Sequence, residues 1–233
     1  MTDLFRGIRD KLDFRLNVAE AYESRVVSKR RVLDIGGRNS TSKSRKRIND
    51  LNKSTENTII CTDILPDYKP DLVDDIVNTS IKPESFDGVY CDAILEHVTE
   101  YWKALDNIYS ILREGGEAFI YVPFCFQFHD KMDYHRFTFT EVARMLERFR
   151  EVKIFTPGRN SGYGYVIWSV LTMGQIHKFP RVHTFLTVAC NRILNAALYF
   201  AYKVKPRRHS FREVRFYYTY LLLNHGFSAW VKK

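Results

Sequence analysis

Two carboxylates stand where the first two predicted strands of this chain end. Asp34 lies at the end of the apolar run Arg31–Ile35, directly before a Gly-Gly turn. In an open α/β sheet the ligand binds at the carboxyl end of this first strand, where a carboxylate repels a pyrophosphate and suits a cationic group. Asp63 follows the run Thr58–Thr62, at the place where such folds recognise a ribose. The pair predicts a ligand with a cationic group and a ribose.

Both features also have plain structural explanations. A Gly-Gly pair after a strand is often only a turn, and the pattern here does not match the G-x-G-x-x-G fingerprint of dinucleotide sites. Asp63 could equally cap a helix or lie in a solvated loop. From these residues alone the alternatives stay open.

A second polar group follows the predicted strand Ala118–Pro123. Its candidate catalytic residues are His129, Asp133 and His135. Histidine is the commonest general base in enzymes, and three phenylalanines close to His129 would exclude water from it. They are Phe124, Phe126 and Phe128. His129 is therefore the first candidate for the base.

Other interpretations of this region are open. Glu96 and His97 are further candidate bases, although for His97 we favour the role of a helix residue that contacts the ligand-binding loop. Arg136 could orient Asp133 or an anionic substrate group, and residues 133–138 could instead be a turn that caps the helix starting near Thr140. No metal site is predicted, because the third and fourth ligands are not visible in the sequence.

The elements that must position these residues alternate between strands and helices. Short apolar runs predict further buried strands at Gly88–Cys91 and Glu151–Thr156. Amphipathic spacing predicts helices at Tyr101–Leu112 and at Thr140–Phe149, with Thr138 or Thr140 as the cap of the second. Strand and helix in repetition imply a parallel sheet covered on both faces.

The rest of the chain divides around this alternating part. Residues 1–29 are predicted to be an N-terminal helical segment, and residues 30–161 with 224–233 the core that holds the ligand. Residues 162–223, rich in Tyr, Phe, Leu and Ile, are predicted to be a helical insertion before the final strand. The Ser- and Lys-rich stretch Arg38–Thr58 is either a weak helix or a mobile loop.

Composition excludes several classes of protein. The 233 residues are 45% hydrophobic and 27% charged, which suits one globular core and excludes disordered and collagen-like chains. The four cysteines form no C-x-x-C pair and indicate neither a zinc site nor a disulfide scaffold. The charged N-terminal residues lack the apolar stretch of a signal peptide. We therefore expect a cytoplasmic protein.

Positive charge is concentrated towards the C-terminus. Residues 157–233 hold 12 Lys and Arg and one acid, Glu213, so their net charge is +11. Residues 1–156 carry a net charge of −2, and the two parts sum to the +9 of the whole chain. Such a block favours an anionic partner, although it could be only a solvated basic face. The apolar run 183–202 contains Arg192 and two Asn, so we do not predict that it crosses a membrane. An interfacial membrane element within residues 178–215 and a helical lid over the substrate pocket are the two alternatives.

Seven short motifs follow one another along the chain. They are Val32–Gly37, Thr62–Ile64, Asp71–Asp75, Ser85–Tyr90, Ile94–Val98, Ile111–Glu117 and Tyr121–Phe124. In this order they resemble the class I S-adenosylmethionine-dependent methyltransferases. More narrowly, His129 followed by residues 133–138 and a helix resembles bacterial methyltransferases associated with polysaccharide and glycolipid biosynthesis. The resemblance covers residues 30–156 and 224–233, and implies a doubly wound, mostly parallel Rossmann-like α/β sheet with an antiparallel last strand.

The resemblance also implies roles for individual positions. Asp34, Gly36 and Gly37 would line the methionine part of S-adenosylmethionine. Asp63 would bind the ribose, and Ile64 would contact the adenine, with Asp75 near the edge of that ring. Cys91 and Asp92 would lie beside the methionine or the reacting methyl group. The family's glycine-rich turn usually continues with further glycines, whereas Arg38, Asn39 and Ser40 follow here. Loss of cofactor binding is the expected outcome if this departure matters.

The predicted function is O-methylation of a saccharide, a lipid-linked glycan or another small-molecule acceptor, at the inner membrane surface. Methyl transfer is an in-line displacement, and a sugar hydroxyl must lose its proton to a general base. An RNA methyltransferase that uses the basic C-terminal block is one alternative, but the aromatic residues lie in apolar helical runs and no RNA-binding module is visible. A non-catalytic scaffold of the same fold at the membrane is the other.

Overall fold

Seven strands and seven helices are present in the described part of the chain, which comprises residues 7–37, 43–158, 161–172, 180–204 and 210–233 of a computed structural model. The strands are β1 (Arg31–Ile35), β2 (Thr58–Asp63), β3 (Leu72–Val73), β4 (Phe86–Asp92), β5 (Leu112–Pro123), β6 (Glu151–Phe155) and β7 (Gly226–Lys232). The helices are α1 (Ala19–Val27), α2 (Lys43–Leu51), α3 (Tyr101–Ile111), α4 (Phe139–Met145), α5 (Tyr163–Leu171), α6 (Pro180–Val204) and α7 (Phe211–Phe216). Short 3-10 turns lie at Arg9–Lys11, Pro66–Tyr68 and Leu95–His97, and a π-helical turn at Tyr217–Leu221.

The strands form one sheet in the order β3-β2-β1-β4-β5-β7-β6. Strands β1 to β5 pair in parallel, and β7 is antiparallel to both of its neighbours, β5 and β6. This arrangement confirms the predicted doubly wound, Rossmann-like α/β sheet with an antiparallel last strand. The strand order reverses between β1 and β4, so their carboxyl ends open the crevice where sheets of this kind bind ligands.

Apolar side chains cover both faces of the sheet. On one face Leu33 and Ile35 of β1 join the large core that contains Ile108 of α3. On the other, Tyr90 of β4 joins a smaller core with Val26 of α1. Because neighbouring residues of a strand point to opposite faces, Asp34 lies on the side of α1 and α2. This alternation decides which face each polar residue of the crevice occupies.

Several elements differ in extent from their sequence-based predictions. The apolar runs locate the predicted strands to within a few residues, but β5 begins six residues earlier than the predicted run, at Leu112, and the two-residue strand β3 was not predicted. The N-terminal segment is helical at Ala19–Val27 and in the turn Arg9–Lys11, with irregular chain between them. Within Arg38–Thr58 the structure has a helix at Lys43–Leu51, and residues 38–42 lie outside the described part.

The insertion 162–223 is helical where it is described, over α5, α6 and α7. Tyr165 of α5 packs against His225, whose backbone carbonyl accepts a hydrogen bond from the N–H of Phe124 just after β5. The insertion is therefore attached beside the end of β5. No helix in the described residues is long and apolar enough to cross a membrane.

A buried carboxylate on β5 connects α1 to the sheet. Glu117 of β5 accepts hydrogen bonds from Arg25 and Lys29, each at 2.7 Å, and from the indole N–H of Trp230 at 2.9 Å. Burial disfavours the charged carboxylate, but these hydrogen bonds outweigh that effect and hold the pKa of Glu117 below its usual value. The cluster therefore stabilises the fold while Glu117 is ionised.

Replacing Glu117 with Ala is expected to lower the free energy of unfolding by about 3 kcal/mol at pH 7, because the buried indole N–H loses its acceptor and two cations lose their partner. Since the pKa is lowered on folding, this loss should be fully present above the ordinary pKa of 4.5 and should shrink as the pH falls below it. Urea unfolding of both proteins at pH 7 and pH 4 measures it. Glu151→Ala, at a half-exposed carboxylate beside Lys232, is the matched control and should cost less than about 1 kcal/mol. Equal losses for the two variants would contradict the prediction.

Candidate active site

The carboxyl edge of the sheet gathers the predicted ligand-binding residues. Asp34 lies near the end of β1 and is 2% exposed. Its Oδ2 lies 3.9 Å from Nη1 of Arg45 and accepts no hydrogen bond from the described residues. Burial raises the pKa of Asp34 to about 7, although the Arg45 charge acts in the opposite direction. A buried carboxylate short of partners is suited to bind a cationic group of a ligand.

Arg45 was not singled out by sequence reasoning. Its guanidinium also contacts Asp71 Oδ2 at 3.3 Å and the carbonyl of Ile59 at 3.1 Å, so α2 is joined to the sheet at this edge. It lies in a stretch with several basic residues, and nothing in its spacing distinguishes it from them.

The Gly36-Gly37 turn leaves no room for side chains. Gly36 has a φ of +70°, and a Cβ there would lie 2.1 Å from Cδ1 of Ile94. A Cβ at Gly37 would lie 1.9 Å from Oδ2 of Asp34. Gly36 therefore suits its positive φ, and a side chain at Gly37 would displace the Asp34 carboxylate, so the two glycines keep the turn and this carboxylate in place. The departure at Arg38, Asn39 and Ser40 lies outside the described residues.

The ribose and adenine positions follow β2 and β3. Asp63 accepts a hydrogen bond from the N–H of Leu65 at 2.9 Å through one oxygen. Ile64 and Val73 are 57% and 51% exposed, which leaves an apolar surface that a planar base could cover. Asp75 uses both oxygens within its own turn, on Val77 N–H and the Asn78 amide, so its carboxylate is already satisfied.

The end of β4 places its two predicted residues on opposite faces. The side chain of Cys91 is fully buried in the large core, and burial raises the pKa of its thiol well above the usual value. The whole residue is buried, so the structure does not bring Cys91 to the surface of the crevice. Asp92 lies on the side of Asp34 and accepts a hydrogen bond from the hydroxyl of Tyr90 at 3.3 Å. Burial raises the pKa of Asp92 as well.

These observations fit S-adenosylmethionine. The partner-poor Asp34 suits its cationic methionine end, the glycine turn allows close approach, and the exposed Ile64 offers a surface for adenine. Asp63, at the end of β2, is placed to accept hydrogen bonds from ribose hydroxyls.

Asp63→Ala is expected to weaken the binding of S-adenosylmethionine and S-adenosylhomocysteine alike by roughly 10- to 100-fold, since hydrogen bonds to a charged group contribute about 1–3 kcal/mol. Calorimetric titration of both ligands measures the change. Asp67→Ala removes an exposed carboxylate from the next turn and should leave the affinity unchanged. Unaltered binding by the Asp63 variant would show that this carboxylate does not hold the ribose.

A histidine and an aspartate meet in the segment after β5. Nδ1 of His129 lies 3.1 Å from Oδ2 of Asp133, whose side chain is fully buried. Arg136 donates to both oxygens of the same carboxylate, and these hydrogen bonds lower the pKa of Asp133 to about 2. Asp133 is therefore a fixed carboxylate that can orient the imidazole and stabilise its protonated form. In the structure Arg136 orients Asp133, as one of the two sequence-based alternatives expected. Thr138 separately caps α4.

The other histidine predicted here has different surroundings. Nε2 of His135 lies 3.3 Å from the carbonyl of Thr99, and its ring packs against Tyr101 with 5.1 Å between centroids. These contacts favour a packing role for His135.

The expected frame of three phenylalanines is wrong. Only Phe126 packs against the His129 ring, at 5.4 Å between centroids, while Phe124 packs against Phe227 and Phe128 is 73% exposed. Residues 127–130 are exposed, so His129 keeps access to solvent.

Glu96 and His97 lie beside this pair. The carboxyl of Glu96 is 1% exposed, its Oε2 accepts no hydrogen bond from the described residues, and burial raises its pKa to about 7. Nδ1 of His97 lies 2.7 Å from the carbonyl of Met132, and its ring lies edge-on to that of His129 at 5.2 Å. Glu96, His97 and His129 each offer one atom within 4.8 Å of the others, so these three residues could hold a metal ion.

Comparison with known proteins agrees with this architecture. Residues 41–120 match the family model described as a methyltransferase domain. No curated protein matches the chain. Among solved structures, a SAM-dependent methyltransferase from Archaeoglobus fulgidus is 18% identical, with 98% of this chain and 96% of that chain covered and a TM-score of 0.55. The [4+2]-cyclase SpnF is 12% identical, with 95% and 85% covered and a TM-score of 0.54.

The two structural similarities show the fold, and the presence of a cyclase beside a methyltransferase indicates that one fold accommodates more than one reaction. The domain match adds the methyltransferase assignment, and the site has the features that the cofactor requires. Residues 41–120 therefore match a methyltransferase domain, within a fold shared with SAM-dependent methyltransferases and beside a site that fits S-adenosylmethionine.

Proposed function

We propose that the protein methylates a hydroxyl oxygen of a saccharide or lipid-linked glycan at a membrane surface. The observation that carries the proposal is the pair of His129 and the buried Asp133, beside the crevice that fits the cofactor. The cofactor supplies a methyl group activated by a positively charged sulfur. A neutral hydroxyl is a weak nucleophile, so its methylation benefits from a base more than that of an amine or a thiolate.

His129 can serve as this base through Nε2. Its Nδ1 lies 3.3 Å from the carbonyl of Gln127 and 3.1 Å from Asp133 Oδ2, and both acceptors favour the tautomer with the proton on Nδ1 and the lone pair on Nε2. As the acceptor oxygen takes the methyl group, its proton passes to Nε2, and Asp133 stabilises the resulting imidazolium. Arg136 keeps Asp133 ionised and in place. His135, which packs on Tyr101, would shape the wall of the site without moving a proton.

A metal ion at Glu96, His97 and His129 would compete for the same nitrogen. Nε2 of His97 and Oε1 of Glu96 lie 3.9 Å apart, whereas two ligand atoms of one zinc ion at bonds of about 2.0–2.1 Å are separated by about 3.4 Å in a tetrahedron. We therefore propose that Nε2 of His129 accepts the hydroxyl proton and does not bind a metal ion. Methyl transfer should accordingly survive dialysis against EDTA.

The function is tested by incubating the purified protein with methyl-labelled S-adenosylmethionine and three acceptor pools: free oligosaccharides, lipid-linked saccharides and RNA. We expect label in the saccharide pools as an alkali-stable methyl ether, with the lipid-linked pool preferred. Label in RNA alone would replace this function with the RNA methyltransferase alternative. Cofactor binding without label in any pool would favour the non-catalytic scaffold.

A further inference from the structure

Helix α6 (Pro180–Val204) buries polar side chains and exposes several large apolar ones. The buried side chains of this helix are His183, Thr187 and Asn191. Large apolar side chains of the same helix are strongly exposed, with Phe185 at 70% and both Ile193 and Phe200 at 72%. A helix packed on its own core normally buries the apolar face. The reversal indicates that something apolar covers α6 from outside.

Specific hydrogen bonds hold the polar face against the rest of the insertion. Asn191 accepts from the N–H of Gly164 at 2.8 Å and donates to the carbonyl of Ser161 at 3.0 Å. One turn further, Asn195 accepts from the hydroxyl of Thr219 at 2.8 Å. These contacts fix the rotation of α6, because turning the helix would bury its phenylalanines but leave buried amides and backbone groups without partners. The outward apolar face is therefore a consequence of how the insertion packs.

The outward face is a continuous stripe along the whole helix. At about 100° per residue its large members fall within a sector of about 100°, on the opposite side from the buried polar residues. They are Val182, Phe185, Ile193, Phe200 and Val204, with the small residues Ala189 and Ala196 between them. A stripe of this length is typical of a helix that lies in an interface.

A column of positive charge runs along one edge of this stripe. Arg181, Arg192 and Lys203 fall within a sector of about 40° beside the apolar side chains. All three are exposed, and none forms an ion pair with an acid in the part of the chain that the structure describes. The 25 residues of α6 include no Asp or Glu. Apolar side chains flanked by cations suit a surface that is apolar inside and anionic at its boundary.

We propose that α6 is an interfacial helix that binds the protein to an anionic lipid bilayer through its outward face. The stripe would enter the boundary between headgroups and acyl chains, and Arg181, Arg192 and Lys203 would contact lipid phosphates. A second copy of the chain fits less well, because two such faces would bring two columns of positive charge together. The flanking basic residues Lys178, Lys205, Arg207 and Arg208 lie outside the described part of the chain.

Aromatic contacts connect the proposed membrane face to the catalytic edge. His183 on the inner side of α6 packs on Tyr165 at 5.0 Å between centroids, and Tyr165 packs on His225 at 4.2 Å. His225 in turn contacts Tyr121, near the end of β5, at 6.0 Å. A bilayer against α6 would therefore lie on the side of the protein that carries the insertion, next to the carboxyl end of β5. In this respect the inference rests on the proposed function, which it extends by placing a lipid-linked acceptor.

Vesicle flotation of the full chain tests the inference. The vesicles are phosphatidylcholine alone and phosphatidylcholine with 30% phosphatidylglycerol, at low and at high salt. We expect flotation with the anionic vesicles at low salt, and at least about a tenfold smaller floating fraction for the triple variant Phe185→Ser, Ile193→Ser and Phe200→Ser. The variant Arg181→Gln, Arg192→Gln and Lys203→Gln should lose the preference for anionic lipid and the dependence on salt.

Trp102→Ser is the matched control, because Trp102 is 52% exposed on α3, outside the insertion. It should float like the unaltered protein. Circular dichroism and cofactor titration establish that each variant is folded, and methylation of a soluble saccharide should be retained in all of them. This separates failure of the inference from failure of the proposed function.

Absence of flotation by the unaltered protein, or equal flotation by the apolar triple variant, would overturn the inference. So would a concentration-dependent dimer that the triple variant abolishes while vesicle binding is absent.

Discussion

His129→Gln is expected to lower kcat for methyl transfer to the saccharide acceptor by about 100- to 1000-fold, because general-base assistance typically contributes 10²–10⁴-fold. Glutamine retains a hydrogen-bonding group of similar reach but cannot accept the hydroxyl proton. The affinity for S-adenosylmethionine should stay within about threefold, since His129 contacts Asp133 and the rings of Phe126 and His97 rather than the Asp34 side of the crevice. Initial rates at saturating cofactor and a parallel calorimetric titration separate the two effects.

Two further variants show whether the effect comes from the proton. Asp133→Asn should also lower kcat, because the neutral amide no longer stabilises the imidazolium. His135→Gln is the matched control, since its ring packs on Tyr101, and it should retain most of the activity. A His129 variant as active as His135→Gln would remove His129 from the mechanism. Loss of activity on treatment with EDTA would instead assign the cluster of Glu96, His97 and His129 to a metal ion.

Binding of S-adenosylmethionine should strengthen roughly tenfold between pH 5.5 and pH 7. Burial raises the pKa of Asp34 to about 7 in the protein without ligand, so the carboxyl is mostly protonated at the lower pH and must lose its proton before it can hold a cationic group. The sign for stability is opposite. The folded chain binds this proton more tightly than the unfolded chain, so ionisation of Asp34 costs folding free energy as the pH rises towards 7, and the ligand offsets that cost.

Titration of Asp34→Asn tests this pH dependence. The variant should bind weakly throughout the range, with a much flatter profile, at about the affinity of the unaltered protein at pH 5.5. Arg45, Asp71 and Asp92 also act on Asp34, but they remain in the variant and contribute equally to both profiles. Asp75→Asn serves as the control, because its carboxylate is satisfied within its own turn, and it should keep the profile. An unchanged slope in Asp34→Asn would assign the titration to another group.

The chain order of the fold could be predicted because its strands leave a local signal. Strands buried on both faces appear as short apolar runs, as at Arg31–Ile35 and Thr58–Thr62, and the alternation with helices implies a parallel sheet. The two-residue strand Leu72–Val73 gives no such signal, since its residues are exposed and its pairing with β2 is set by that neighbour. The early start of β5 at Leu112 likewise depends on pairing with Phe86 of β4.

The candidate site was predictable to the same degree. Asp34 and Asp63 could be placed at the sheet edge because a carboxylate after a strand has a fixed position in this kind of fold. The face of the sheet on which each residue lies could not be predicted. Strand alternation buries the thiol of Cys91 in the large core, while the adjacent Asp92 lies on the same side as Asp34. Arg45 lies beside Asp34 only because α2 packs across the end of β1 and β2.

The sequence by itself determined the parallel sheet and the glycine turn, since each depends on residues near one another in the chain or on a regular pattern, and the family resemblance added the antiparallel last strand. Tertiary structure decided which groups lack partners and which faces are covered. Asp34 and Glu96 acquire raised pKa values from burial by distant segments. Helix α6 turns its apolar side outward because Asn191 and Asn195 bond to α5 and to the π-helical turn. Burial and partnership are properties of the packed neighbours, so residue types alone could not assign them.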